Sequence, residues 1–183
     1  NHEDMMRDFL LQTNKYDSRT WFSNGGIETV QSFIRGNKQK ESFENKANLF
    51  LETNDQRILN DLIKICNDKI DKKYIEFINK MNFYFETEEF ICSHAPIKNH
   101  YTLKRFKNES ESMNIDLLWN RTEPFKNKGK TLIFGHNAER KIKQYTDEES
   151  NVFAINLDSS FGDKLTALDW SNNEYLEIKN FAA

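Results

Sequence analysis

The sequence predicts a mixed α/β protein in which helices come first and strands follow. The chain has 183 residues, 37% of them apolar and 30% charged, which are the size and balance of one globular domain. Apolar residues recur at helical spacing in the N-terminal part, whereas short β-prone runs separated by turn residues occupy the C-terminal part. We therefore expect a single domain that spans residues 1–183.

The helical prediction depends on three segments. Close to the start, apolar residues share one helical face; they are Met5, Met6, Phe9 and Leu10. A second helix is expected in GGIETVQSFI, behind the Asn-Gly-Gly sequence at 24–26. The segment RILNDLIKICNDKIDKKYIEFINKM then predicts one long amphipathic helical stretch. Its apolar positions follow the helical period, and they are Ile58, Leu62, Ile65, Ile70, Tyr74, Phe77 and Ile78.

The strand prediction begins with FYFETEEFICSHA, in which two short β-prone runs are joined at Thr87-Glu88 as in a hairpin. KTLIFGH is a short apolar strand that ends in Gly-His. VFAINLD, KLTALDW and EYLEI are three further strands, separated by the turn residues Gly162-Asp163 and Asn172-Asn173. We expect these last three strands to complete one sheet.

Charge and cysteine usage limit the classes of partner. The net charge is −3 and the basic residues are mixed with acids, which argues against nucleic acid or a membrane surface as the main partner. No apolar run approaches the length of about 20 residues that a membrane helix needs. Cys66 lies in a helical run and Cys92 in a strand-like run, and we favour reduced, buried thiols over a disulfide.

Two of the four histidines follow predicted strands, where α/β proteins carry reactive groups on a rigid scaffold. His94 follows EFICS and His136 follows TLIFG, while His2 stands beside the amide of Asn1. Each histidine alone fits a structural role. Together they favour a metal site, and imidazole, carboxamide and carboxylate ligands suit Mn²⁺, Fe or Zn²⁺ better than Ca²⁺. His100 lies in a polar stretch and is predicted to be an ordinary surface residue.

Arg121, in LLWNRTEPF, adds a cation. The apolar residues before it, 117–119, are expected to anchor it against the core. A guanidinium offers a planar fork of donors that fits two phosphate oxygens. The alternative for this residue is a surface ion pair with Glu123.

Five motifs, in the order NHE, FICSHA, LLWNR, IFGH and NLDSSFGDKLTAL, resemble those of the metal-dependent phosphoprotein phosphatases, which are calcineurin-like metallophosphoesterases. The pair Met5-Met6 and the segment WFSNGG are similar to the bacterial and phage serine/threonine phosphatase branch. The resemblance covers nearly the whole chain. It implies two facing mixed β-sheets flanked by helices, with His94 and His136 on loops that leave neighbouring strands.

The resemblance also implies roles for individual residues. Asn1, His94 and His136 correspond to ligands of the second ion of a dinuclear centre, for which Mn²⁺ is expected and Fe or Zn²⁺ is possible. His2 corresponds to the general acid that protonates the leaving alkoxide, and Arg121 to the clamp on the phosphoryl oxygens. These roles agree with general chemistry. Two adjacent cations can acidify a water and offset phosphate charge, and an imidazolium can protonate a leaving group near neutral pH.

In this family, a strand ending in Asp-x-His and a Gly-Asp-x-x-Asp-Arg segment precede the NHE motif and supply the other metal's ligands. Neither pattern occurs in the 183 residues. We therefore expect the chain to be the C-terminal two thirds of a metallophosphoesterase domain, incomplete at its N-terminus.

Three hypotheses about function remain open. The first is a metal-dependent phosphatase that acts on phosphoserine or phosphothreonine in a phosphorylated protein or peptide. The second is a hydrolase of dinucleoside polyphosphates, and the third is a non-catalytic binding module that keeps the fold. A monomeric, cytoplasmic protein is expected in the first case.

Overall fold

The computed structural model describes residues 1–99 and 115–179, and the chain divides into two compact units. The first, Asn1–Met81, is helical and is called the helical unit. The second begins at Asn82, contains the described strands and is called the sheet unit. The mixed α/β class is confirmed, whereas the prediction of a single domain stays a prediction.

The helical unit contains six α-helices, and a π turn joins the second to the third. They are α1 (His2–Leu11), α2 (Ser18–Trp21), the π turn (Phe22–Gly26), α3 (Ile27–Phe33), α4 (Asn37–Thr53), α5 (Gln56–Lys69) and α6 (Lys72–Asn79). Within the described ranges, none of the helices combines the length and apolar character that crossing a membrane requires.

The long helical stretch predicted between Ile58 and Ile78 is two helices rather than one. Ile70 has extended backbone angles, φ −94° and ψ 113°, and ends α5. The Asp71 side chain then accepts a hydrogen bond of 2.9 Å from the Lys73 N–H and caps α6. An N-terminal cap satisfies one of the backbone donors that a helix leaves free at its start. The apolar period continues across this break and therefore conceals it.

The Asn-Gly-Gly sequence makes the kink between α2 and α3. Gly25 has φ +89°, a conformation that residues with a side chain adopt only with strain. At Gly26, a Cβ would lie 2.7 Å from the carbonyl oxygen of Trp21, so only glycine allows this close approach. The prediction that a helix begins behind this sequence is confirmed, since α3 starts at Ile27.

Aromatic rings form the centre of the helical unit. The Phe22 ring lies 5.0 Å from the Phe9 ring and 6.1 Å from the Phe50 ring, measured between centroids. Trp21 packs 4.8 Å from Phe9. All four rings are buried, as are the face residues Met5, Met6 and Leu10 that the sequence predicts.

The sheet unit contains a five-stranded mixed sheet and a separate two-stranded antiparallel sheet. The strands are β1 (Tyr84–Glu86), β2 (Phe90–Ser93), β3 (Thr131–Phe134), β4 (Lys143–Thr146), β5 (Val152–Asn156), β6 (Lys164–Asp169) and β7 (Glu174–Lys179). The order in the first sheet is β1-β2-β3-β5-β4, and β6 pairs with β7. A short helix, α7 (Ile115–Trp119), lies between β2 and β3 in the sequence.

The predicted hairpin is confirmed, because β1 and β2 pair antiparallel across Thr87. The prediction that the last three strands complete one sheet is wrong. Only β5 joins the larger sheet, where Ala154 and Ile155 are buried beside β3. The β6–β7 pair instead exposes apolar side chains such as Leu165 and Ile178, which are 71% and 64% exposed. The apolar residues of β6 and β7 therefore do not indicate that these strands are buried in the larger sheet.

Three neighbouring strands, β2, β3 and β5, run parallel. Their registers pair Cys92 with Ile133 and Phe134 with Asn156, so the three carboxyl ends meet at one edge. Parallel strands in an α/β sheet bind ligands beyond such an edge, which makes it the place to examine for a site.

Candidate active site

The carboxyl edge of the sheet brings His94 and His136 together. His94 directly follows β2, and His136 follows β3 after one glycine. Their ring centroids are 4.9 Å apart with an angle of 53° between the planes. The prediction that both lie on loops leaving neighbouring strands is confirmed.

Hydrogen bonds between main-chain groups hold these loops next to one another. The Gly135 N–H donates to the His94 carbonyl at 2.9 Å, and the Leu157 N–H donates to the Phe134 carbonyl at 2.8 Å. The loops after β2, β3 and β5 are therefore fastened to each other directly beside the two imidazoles.

His136 has an unusual backbone conformation. Its φ is +65°, and the Asn137 N–H donates to the Gly135 carbonyl at 2.7 Å across it, which makes a γ-turn with positive φ. Such a conformation is strained for a residue with a side chain and is found mainly where the surrounding structure fixes it, often at functional sites.

The His136 ring has one nitrogen, Nε2, that is buried and has no hydrogen-bond partner among the described residues. The same holds for Oδ1 of Asn137. Burying an unpaired polar atom costs about 1–3 kcal/mol, so such an atom in a native structure usually has a partner of another kind. A metal ion is a suitable partner for an imidazole nitrogen.

Burial lowers the pKa of the His136 imidazole, and the Arg121 cation acts in the same direction. The backbone carbonyl of Trp119 opposes both, and the Trp119 ring stands edge-on to the imidazole with a centroid distance of 6.1 Å. A lowered pKa favours neutral imidazole, the form that binds a metal ion.

Arg121 reaches the His136 loop from the segment after α7. Its Nη1 donates to the His136 carbonyl at 2.8 Å, and the guanidinium is otherwise exposed. The predicted alternative, an ion pair with Glu123, does not occur among the described ion pairs, where Glu123 lies 3.5 Å from Lys143. The guanidinium therefore lies beside the histidine pair, and its other N–H groups remain available as hydrogen-bond donors.

Asn1 and His2 belong to the helical unit. Asn1 is buried and precedes α1, and its carbonyl accepts a hydrogen bond from the Met5 N–H at 3.0 Å. His2 is exposed on the first turn. Their convergence on His94 and His136 stays a prediction. His100 lies outside the described residues.

Two of the candidate ligands are imidazoles, and imidazole suits a transition metal better than Ca²⁺. Within 1–99 and 115–179, no group of three or more His, Cys, Asp or Glu side chains is arranged to hold an ion. Among its described residues, the sheet unit thus offers at most two side chains of these types to one ion, and the proposed third ligand, Asn1, is a carboxamide.

A groove of about 470 Å³ opens at the same edge of the sheet, and its lining includes His94, Gly135, Asp158 and Leu165. Asp158 follows β5, and its Oδ1 accepts hydrogen bonds from the Ser160 N–H at 3.1 Å and the Ser160 hydroxyl at 2.6 Å. These bonds turn the chain toward β6.

The sequence prediction missed Asn156 and the ring of Trp119 as parts of this edge. Asn156 is completely buried although it is polar, and an asparagine that ends a strand is easily taken for a turn residue. Comparison of the chain with protein-family models, with curated proteins and with solved structures found no match.

Proposed function

We propose that this protein is a metal-dependent phosphomonoesterase of the calcineurin-like type, and that it acts on phosphoserine or phosphothreonine in proteins. The supporting observation is the pair His94 and His136 at the ends of adjacent parallel strands, with a ring separation of 4.9 Å. The unpaired Nε2 of His136 and the neighbouring guanidinium of Arg121 agree with a site for a metal ion and an anion. The order of the five sequence motifs supports the same proposal.

In this proposal, Arg121 binds two phosphoryl oxygens. One of its N–H groups is engaged by the His136 carbonyl, which orients the guanidinium plane and keeps the cation at the site. A fixed donor fork of this kind stabilises charge on the phosphoryl oxygens without having to reorganise during the reaction. The interaction is independent of the leaving group.

His2 is the proposed general acid. It protonates the oxygen that leaves with serine or threonine, which is a strong base when it departs as an alkoxide. His2 is exposed on the first turn of α1, where it is accessible to solvent protons.

Asn1, His94 and His136 would hold one divalent ion, for which Mn²⁺ is the proposed identity and Fe or Zn²⁺ are alternatives. Divalent ions at such a site lower the pKa of water and offset the negative charge of the phosphate. We further propose a monomeric cytoplasmic enzyme whose substrate is a phosphorylated protein or peptide.

The test is phosphate release by the full-length protein from a phosphoserine peptide, after treatment with a chelator and with Mn²⁺ or Ca²⁺ restored. We expect activity with Mn²⁺ and almost none with Ca²⁺, because imidazole ligands suit the former. A dinucleoside tetraphosphate assayed in parallel tests the neighbouring hydrolase. Preference for that compound would contradict the protein phosphatase assignment, and Mn²⁺ binding without turnover of either substrate would favour a binding module.

A further inference from the structure

Asn156, the last residue of β5, bridges two of the loops at the site edge. It is 0% exposed. Its Nδ2 donates to the Asn137 carbonyl at 2.6 Å, and its Oδ1 accepts from the Asp158 N–H at 3.0 Å. One carboxamide therefore connects the loop that carries His136 to the loop that carries Asp158.

An apolar residue would be the ordinary choice at this position. Asn156 lies opposite Phe134 in the parallel register and follows the buried Ala154 and Ile155. Burying a carboxamide is costly unless it is hydrogen-bonded, and a fully bonded one fixes direction in a way that apolar packing does not. The polar side chain thus determines where the carbonyl of Asn137 lies.

The bond matters because the conformation it holds is strained. Both main-chain groups of Asn137, the residue after His136, are engaged: its N–H donates to the Gly135 carbonyl, and its carbonyl accepts from Asn156. Arg121 holds the intervening His136 carbonyl at 2.8 Å, but it does so from an exposed position. Among the described side chains, Asn156 and Arg121 hold this turn, and Asn156 is the buried one of the two.

We propose that Asn156 is a positioning residue for the metal site: it holds the γ-turn at His136 so that the imidazole is orientated for metal binding. The inference depends on the proposed function. Asn156 does not contact the imidazole in any described hydrogen bond, and it acts through the main chain of the next residue. Residues that orient metal ligands in this indirect way typically contribute about 10–100-fold to metal affinity.

The control is Asn67 in α5 of the helical unit. Its Nδ2 also donates to a backbone carbonyl, that of Ile63, at 3.0 Å. Asn67→Ala therefore removes the same kind of hydrogen bond from a helix that carries none of the proposed site residues. Because Asn156→Ala also leaves a cavity, Asn156→Leu serves as a second variant, which keeps the branched shape of the side chain, fills the space with a somewhat larger group and removes both hydrogen bonds.

The experiment is calorimetric titration of the full-length protein with Mn²⁺, together with the visible absorption spectrum of the Co²⁺-loaded form. We expect Asn156→Leu and Asn156→Ala to bind Mn²⁺ about 10–100-fold more weakly and to alter the Co²⁺ spectrum. Asn67→Ala should keep the wild-type affinity and spectrum. Circular dichroism establishes that each variant is folded.

Wild-type affinity in a folded Asn156→Leu variant would overturn the inference. So would failure of both Asn156 variants to fold, because the residue would then support the sheet rather than the turn. Equal weakening by Asn67→Ala would also refute it. If the wild-type protein itself bound no Mn²⁺, the proposed function would fail instead.

Discussion

The core of the helical unit and the carboxyl edge of the sheet within the sheet unit are stabilised by different kinds of interaction. In the helical unit, buried rings pack around Phe22, whose centroid lies 5.0 Å from Phe9 and 6.3 Å from Phe43. At the edge of the sheet, polar side chains instead hold backbone carbonyls, as Asn156 and Asn120 each do at 2.6 Å.

The difference follows from what each region must fix. Apolar burial is roughly proportional to area and has no direction, so it stabilises a helical bundle without specifying the position of one atom. A hydrogen bond to a carbonyl does specify position. A metal or phosphate site needs its side chains placed to within about 0.5 Å, which directional bonds provide. Substitutions should therefore change stability in the core of the helical unit and chemistry at the carboxyl edge of the sheet.

The largest expected effect is that of His136→Ala. If His136 binds the metal ion, its loss should reduce Mn²⁺-dependent phosphate release to background. Thermal stability should change little, because the ring is only partly buried. Steady-state assays and thermal melts of the full-length protein test this, with His100→Ala as the control histidine. Near-wild-type turnover by His136→Ala would remove this residue from the site.

The second-largest expected effect distinguishes the catalytic role of His2 from that of Arg121. General acid catalysis contributes about 10²–10⁴-fold, and its value depends on how basic the leaving oxygen is. His2→Ala should lose that factor on a phosphoserine peptide and clearly less on nitrophenyl phosphate, whose leaving group is stable at neutral pH. Arg121→Ala should weaken turnover of both substrates about equally, because both share the phosphoryl oxygens.

The measurement is kcat/KM for each variant on each substrate. An equal loss for His2→Ala on both substrates would contradict the acid role and would indicate that His2 mainly orders the neighbourhood of Asn1. A loss for Arg121→Ala on only one substrate would contradict the clamp.

In the helical unit, Phe50→Ala should lower the free energy of unfolding by about 3–5 kcal/mol, because it deletes a ring that is 1% exposed and leaves a cavity. Phe77 offers the matched control, since it is 66% exposed and the same deletion there should cost less than about 0.5 kcal/mol. Urea unfolding of both variants gives the comparison. Similar losses would show that the ring cluster is not the source of this unit's stability.

Much of the fold was predictable because apolar patterns mark buried elements. The positions of His94 and His136 follow from the runs that end in them, and the parallel pairing of β2 and β3 brings the two together. β4 was not predicted, because its sequence KQYT is polar and two of its four residues are exposed at the sheet edge. Polar edge strands carry little periodic signal.

The site was predictable only in part, for a different reason. Reactive residue types can be recognised in a sequence as candidate site residues, as the histidines and Arg121 were. The groups that position them do not, because Asn156 and Asn120 act through bonds to backbone carbonyls that only the fold creates. The break between α5 and α6 is an intermediate case. Asp71, which caps α6, can be recognised in the sequence, but the helical spacing of apolar residues continues through Tyr74 and conceals the break.

The smallest expected effect concerns Asp17, which caps α2 just before Trp21 and Phe22 enter the aromatic core. Its Oδ1 accepts from the Arg19 N–H at 2.9 Å, and its Oδ2 accepts from the Arg19 guanidinium at 2.5 Å. Asp17→Ala should lower the free energy of unfolding by about 1 kcal/mol through loss of the cap. Asp17→Asn keeps a capping oxygen and should lose less, which separates the cap from the ion pair.

The pH dependence of the same pair gives a second, independent check. The side-chain hydrogen bond from Arg19, reinforced by its backbone N–H, holds the pKa of Asp17 below its ordinary value. A carboxyl whose pKa is lower in the folded state contributes stability above its unfolded pKa of about 3.9, and this contribution is lost as the pH falls further. The stability difference between wild type and Asp17→Asn should therefore be present at pH 7 and shrink when urea unfolding is repeated at pH 3. A difference that stays constant or widens in acid would mean that the charge interaction between Asp17 and Arg19 is not its source.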